Sequence, residues 1–260
     1  MVLACTSTTR TGGPCGGNRF RYTRAPLAHN IVSTAVTSAG AVSLRDVAEE
    51  LELGVDHLAR RGYLAAKRSL DVLFAAALLA SLCWLFVLVA VCVKLESGGP
   101  VFFRQVRIGR DGRAFTMWKF RTMRRERRRR DVGPPPGTHE RRHLHKTRGD
   151  PRVTCVGRVL RRACLDELPQ LWNVLVGEMS LVGPRPELPE IVALYEPWQH
   201  ARHLVTPGIT GWWQVNRHPH RLMHEATELD LHYVRNQSLR LDLWILIRTF
   251  GAIVRGTGAF

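Results

Sequence analysis

The six cysteines of this 260-residue chain, at positions 5, 15, 83, 92, 155 and 164, include no CxxC pair. That spacing supports neither a zinc site nor a disulfide framework. No G-x-x-x-x-G-K-[ST] loop is present, and Gly109-Arg110-Asp111-Gly112 is too short for a dinucleotide fingerprint. Acidic residues are scarce: 22 Asp and Glu stand against 38 Lys and Arg, a net charge of +16. The resulting pI near 10.8 points to anionic partners, whether nucleic acid, an acidic membrane surface or phosphorylated substrates. Composition does not choose among the three. Apolar residues are not scarce; at 45% they exclude wholesale disorder and leave enough chain for a real core.

The apolar share is concentrated. Residues 72–93, VLFAAALLASLCWLFVLVAVCV, hold no charge and no proline. As a helix this run would reach about 33 Å, enough to cross a bilayer core. A signal peptide is not the expected reading, because some seventy residues precede the run and no small-residue cleavage site follows it. The run is therefore read as a membrane helix. Arg60, Arg61, Lys67 and Arg68 precede it, and Lys94, Arg104, Arg107 and Arg110 follow. Two basic flanks both look cytoplasmic. They favour a helix that enters and leaves by one face over a straight crossing.

The basic excess is concentrated too. Residues 121–152 carry 12 Lys and Arg against 4 Asp and Glu, with three prolines at 134–136. Repulsion and proline predict a mobile loop over 124–148. Each basic residue near anionic lipid headgroups contributes roughly 1 kcal/mol of attraction. Interleaved aromatics for base stacking are missing, so lipid is the expected partner and nucleic acid is not.

Elsewhere, residues 1–42 show no period and are expected to be disordered. Residues 43–66 form an amphipathic helix and linker, with Ser43 as cap and Leu44, Val47, Ala48, Leu51, Val55 and Leu58 at helical spacing. Residues 101–108 and 113–121 read as a β-hairpin about the Gly109-to-Gly112 turn. Residues 156–177 are helical with a break near Pro169, and 239–254 are apolar, packing in the core or lying in a membrane interface. His200, His203, His218, His220 and His224 read as surface histidines.

The segment Leu165-Asp166-Glu167-Leu168-Pro169-Gln170 sets two carboxylates side by side before a helical stretch. With Asp166 as N-cap, Pro169 falls harmlessly in the first turn, and the pair lies beside free backbone donors. Such a segment is either a plain cap or a phosphate site. Arg158, Arg161 and Arg162 just before it, and Arg185 between two prolines, favour phosphate. A carboxylate ringed by arginines is a possible nucleophile on phosphorus, with a neighbouring acid and Mg²⁺ handling protons and charge.

The strings LDELPQLWNVLVGEMSLVGPRPE, PGITGWWQVN and FRQVRIGRDGRAFTMWKFRTM resemble the bacterial sugar transferases, the monotopic polyprenyl-phosphate phosphoglycosyl transferases that begin exopolysaccharide, O-antigen or glycoprotein glycan assembly. The likeness runs from about residue 67 to 260. It implies a membrane-associated, mainly α fold at the inner membrane: a re-entrant or spanning helix over 67–96, then a cytoplasmic catalytic domain over 97–260 with interfacial amphipathic helices. It also implies transfer of a sugar-1-phosphate from a UDP-sugar to undecaprenyl phosphate, with release of UMP. In that family the first residue of the Asp-Glu dyad attacks the β-phosphorus and is associated with Mg²⁺. Asp166 matches it, and Glu167 matches the partner that helps activate the lipid phosphate. Lys119, Arg161 and Arg185 match basic residues of the active site and are expected to bind phosphates. Three departures stand out: Cys83-Trp84 replaces the usual Ser-Pro that kinks the membrane helix, Arg217 replaces the glycine of QVNGR, and the 124–148 stretch is unusually arginine-rich. Two other readings remain to be separated, an ordinary glycosyltransferase releasing UDP and a membrane-tethered nucleic-acid-binding protein.

Overall fold

A computed structural model describes residues 61–124, 152–216 and 226–255, together with Leu44 and Asp150. The disordered segment expected over 1–42, the helix expected from Ser43 to residue 60 (Leu44 apart), the basic stretch from 125 to 148, and Arg217, His218, His220 and His224 lie outside the described residues.

In chain order the described elements are helices α1 (Arg61–Ser81) and α2 (Cys83–Ser97), then strands β1 (Phe102–Ile108) and β2 (Ala114–Phe120). Helix α3 (Cys155–Arg162), a 3₁₀ turn (Leu165–Glu167) and α4 (Gln170–Val176) follow. The chain then runs through β3 (Ser180–Val182), α5 (Pro189–Val192), a 3₁₀ segment (Pro197–Leu204) and β4 (Gly208–Thr210). It closes with α6 (Trp212–Asn216), α7 (Thr227–Arg235) and α8 (Leu239–Val254). The fold is mainly helical with one small antiparallel hairpin, as expected.

The hairpin falls within a residue of its expected bounds and pairs Phe102 with Phe120 and Ile108 with Ala114. Its turn works because Asp111 and Gly112 both adopt positive φ, 56° and 71°, which aspartate and glycine tolerate best. Strands β3 and β4, parallel and three residues each, were not expected.

The apolar run over 72–93, read as a membrane helix with a preference for entering and leaving by one face, forms two helices. Helices α1 and α2 meet at Leu82 with a bend of 62°. Among the described residues no single helix is long and apolar enough to cross a membrane; the bent pair together has the length and composition. The bend occurs without proline, and two physical causes replace it. The Ser81 hydroxyl donates to the Leu78 carbonyl at 3.2 Å, a back-bond that bends helices. The helices are also held by different cores: Ala75 of α1 packs with Phe115, Met117, Leu171 and Val174, whereas Val89 and Val93 of α2 pack with Phe120 and Leu160. Leu73, Phe74, Trp84, Val87, Leu88, Val91 and Leu95 stay exposed, so much of the pair presents apolar surface outward.

Polar anchors fix α1. Arg68 donates to the Val174 and Leu175 carbonyls in the last turn of α4, where intrahelical partners run out. Asp71 accepts from the Leu181 amide. Asp242 of α8 accepts from Tyr63 at 3.0 Å and Lys67 at 2.8 Å, and its other oxygen lies 2.7 Å from the Tyr233 hydroxyl. Helix α8 itself resolves the two readings of 239–254: Asp242 and Ile245 are buried, while Leu243, Trp244, Ile247, Phe250 and Val254 form an exposed apolar face.

The Asp242 network ties the apolar helix pair to the C-terminal core. Asp242→Ala removes the partner of Lys67 and the acceptor of Tyr63, leaves Tyr233 only the Val182 carbonyl, and is expected to lower stability by about 3–5 kcal/mol. Denaturant unfolding of the two purified proteins checks this; a loss under 1 kcal/mol contradicts it.

Candidate active site

Three elements bring the dyad together with its cations. The edge of β2 docks on α4 through Asn173, whose buried side chain accepts from the Trp118 amide at 3.2 Å and donates to the Thr116 carbonyl at 2.8 Å. That docking carries Lys119, the next residue, toward the 3₁₀ turn between α3 and α4. The turn exists because Cys164 takes a left-handed conformation, φ 55°, which ends α3 and turns the chain. Asp166 is therefore not the N-cap of α4, as the spacing implied. Pro169 holds that place, and both carboxylates stand on the tight turn instead.

Glu167 is gripped from two sides. Lys119 Nζ donates to its Oε1 at 2.6 Å, and Arg185 Nη2 donates to the same oxygen at 2.6 Å, with Nη1 3.5 Å from Oε2. The three side chains are only 16%, 27% and 20% exposed for Lys119, Arg185 and Glu167. Burial alone would raise the Glu167 pKa, but Arg185 and then Lys119 outweigh it and hold the carboxyl well below its usual range. Asp166 goes the other way. Burial raises its pKa, Lys119 opposes, and the charge of Glu167 adds to the rise. Its carboxylate makes no hydrogen bond or ion pair to any described residue.

Of the five residues singled out from the sequence, Lys119, Glu167 and Arg185 are in direct contact, and Asp166 adjoins them. Arg161 stands off: its Nε donates to Thr122 Oγ1 at 2.9 Å, and it acts on Asp166 through its field, lowering the pKa. Helix α3 presents it there because Gly157 lies against the Thr122 carbonyl, where a Cβ would come within 2.2 Å. Sequence reasoning missed a buried ionic cluster behind Arg185, formed by Arg107, Glu187, Arg202 and Asp230. Glu187 closes the GPRPE string and was within reach; nothing local marks Arg202 or Asp230. The histidine reading needs correction as well. His203 is buried against Tyr195, because the 3₁₀ segment 197–204 packs into the core instead of lying on the surface.

Among the described residues no group of three or more His, Cys, Asp or Glu converges as a metal cage. A Mg²⁺ ion does not need one, since it commonly takes one or two carboxylates and completes its shell with substrate phosphates and water. Glu167 is committed to two cations, whereas the Asp166 oxygens are open. The donor set thus fits a single-carboxylate Mg²⁺ site on Asp166.

Because its folded pKa is depressed, Glu167 contributes stability that is present above the unfolded value of 4.5 and lost as pH falls toward the folded one. Wild type should exceed Glu167→Gln by about 2–3 kcal/mol at pH 7. The gap should narrow on acidification below pH 4.5; unfolding curves showing it widen would contradict the assignment.

With this geometry in place, likeness to known proteins becomes informative. The family model for bacterial sugar transferases matches residues 62–256. The exopolysaccharide production protein ExoY of Sinorhizobium fredii is 41% identical over 199 residues, 75% of this chain and 88% of that protein. The UDP-N-acetylgalactosamine-undecaprenyl-phosphate N-acetylgalactosaminephosphotransferase of Aeromonas hydrophila is 38% identical over 91% of this chain, which spans only 55% of that longer protein. The UDP-glucose:undecaprenyl-phosphate glucose-1-phosphate transferase of Escherichia coli is 40% identical over 70% of this chain and 39% of its own length. A family match over most of the described residues, together with a relative of similar length at 41% identity, places the chain in the bacterial sugar transferase family.

Proposed function

We propose that this sugar transferase moves a sugar-1-phosphate from a UDP-sugar to undecaprenyl phosphate and releases UMP. The observation that carries the reading is the unequal state of two adjacent carboxylates: Glu167 is saturated by Lys119 and Arg185, and Asp166 bonds to none of the described residues. The names of relatives such as the Escherichia coli glucose-1-phosphate transferase support the same classes of donor and acceptor.

The Asp166 carboxylate attacks the β-phosphorus of the donor. A bond from its oxygen to phosphorus forms as the bond from that phosphorus to the bridging oxygen breaks, and UMP leaves with the electron pair. An oxygen of undecaprenyl phosphate then attacks the same phosphorus. The Asp166–phosphorus bond breaks, the carboxylate is regenerated, and the sugar is left on a polyprenyl diphosphate. Lys119, Arg185 and Arg161 supply preplaced positive charge for the phosphate oxygens. Glu167 keeps two of those cations at the site. With its pKa held low it is a poor proton acceptor until phosphate oxygens compete for Lys119 and Arg185; their departure frees it to help activate the acceptor. Mg²⁺, with Asp166 as its protein ligand, neutralises diphosphate charge when bound.

A lipid acceptor requires the site at a bilayer surface. The bent pair α1–α2, with its outward apolar side chains, suits re-entry into one leaflet, and the apolar face of α8 suits the interface. The positive charge of the stretch 124–148 would then favour anionic headgroups on the cytoplasmic side of the inner membrane.

Membranes containing the protein, incubated with undecaprenyl phosphate, Mg²⁺ and a panel of UDP-sugars, should release UMP with at least one donor. Asp166→Asn should lower that rate by at least about 10³-fold. Release of UDP would identify an ordinary glycosyltransferase, and indifference to Asp166→Asn would remove the nucleophile.

A further inference from the structure

Arg185 must be held still to grip Glu167, yet the loop that carries it has few handles. Residues 183–187 read Gly-Pro-Arg-Pro-Glu, and neither proline offers an N–H. The start of the loop is fixed by backbone bonds to β4 and the turn before it: the Gly183 amide donates to the Thr210 carbonyl, and the Gly208 amide to the Pro184 carbonyl at 2.9 Å. Past that point three carbonyls are held. Arg202 Nη2 donates to the Arg185 carbonyl at 2.7 Å, and Arg107 Nη1 to the Pro186 carbonyl at 3.1 Å. The Ile108 amide donates to the Glu187 carbonyl at 2.9 Å.

Arg202 is the more committed of the two arginines. Its Nη2 also lies 2.6 Å from Asp230 Oδ2, both side chains being 1% exposed, while Nη1 donates to the Tyr195 hydroxyl. The ion pair is close but off the hydrogen-bond axis, since neither Asp230 oxygen has an aligned donor. Burying such a pair is costly, and apolar residues of similar volume often serve stability as well or better. Stability alone therefore does not account for it. A guanidinium holds the Arg185 carbonyl and the Tyr195 hydroxyl in fixed directions while its charge stays beside Asp230, which an ammonium on a flexible stem does not.

We propose that the buried pair Arg202–Asp230 is a positioning device, anchored on α7, that holds the Arg185 backbone so that its guanidinium meets Glu167. The run of contacts is Asp230 to Arg202, Arg202 to the Arg185 carbonyl, and the Arg185 side chain to the dyad. Neither Arg202 nor Asp230 touches the dyad, so both act through Arg185. This rests on the proposed function only in the readout of turnover.

The test is the double substitution Arg202→Met/Asp230→Leu, which removes both charges together and spares the fold an unpaired one. Its unfolding midpoint should stay within about 3 °C of wild type. Its kcat for sugar-phosphate transfer should fall by about 10–100-fold, as expected for a displaced catalytic group, with donor KM changed less than about threefold. In an Arg185→Ala background the same pair of changes should cost under about twofold, because no cation is then left to position. Hydrogen exchange at the Ile108 and Gly208 amides, whose acceptors lie in the loop, should quicken about tenfold or more. That last readout is independent of the reaction: faster exchange in a protein that releases UDP would uphold the positioning role and refute the proposed chemistry. Unchanged exchange, or full turnover by a folded double variant, overturns the inference. Should the double variant fail to fold, Arg202→Lys decides. It keeps a charge beside Asp230, and wild-type turnover and exchange in it would refute the need for the fork.

Discussion

Glu167 shares one oxygen between Lys119 and Arg185, and the arrangement of the site follows from that contact. The carboxylate stands on a 3₁₀ turn, the ammonium on a strand edge and the guanidinium on a proline-bound loop. Three elements distant in sequence are thus referred to one atom. Removing these groups from water is expensive, and mutual attraction offsets the cost only if the geometry is kept. The β2 edge is kept by Asn173, the loop by Arg202 and Arg107, and the turn by the left-handed Cys164. Two cations hold Glu167 while Asp166 bonds to none of the described residues, so adjacent residues of similar chemistry acquire different states from their surroundings.

A second consequence concerns where the positive charge goes. Much of the excess sits in the basic stretch, but a distinct set of arginines is turned inward onto backbone carbonyls. Arg68 closes the last turn of α4, Arg121 bonds the Met123 carbonyl, and Arg107 and Arg202 hold the loop before α5. Each serves a carbonyl that regular secondary structure leaves open. A high pI here reports internal scaffolding as well as attraction to phosphates.

What was legible in the sequence was what is local. The hairpin could be read because alternation and a glycine-bounded turn lie within twenty residues. The dyad could be read because its residues are adjacent, Lys119 and Arg185 because they fall in strings shared with a family, and Arg161 because it stands just before the dyad. The two basic flanks favoured re-entry, but the place and cause of the break at Leu82 were hidden, since nothing in an apolar run shows that Ala75 and Val89 pack into separate cores. Asp166 was misread as a helix cap because a left-handed cysteine carries no signal comparable to glycine. His203 was read as a surface residue and nothing marked Arg202 or Asp230; only tertiary packing turns the three inward.

The central claim is that pairing divides the dyad, leaving Asp166 as the group that meets phosphorus. Incubation with Mg²⁺ and a UDP-sugar, without lipid acceptor, followed by acid quench and peptide mass spectrometry, tests it most directly. A sugar-phosphate adduct on Asp166 that disappears on adding undecaprenyl phosphate is the expected result. An adduct on Glu167, or turnover with no adduct on the protein, would contradict the account.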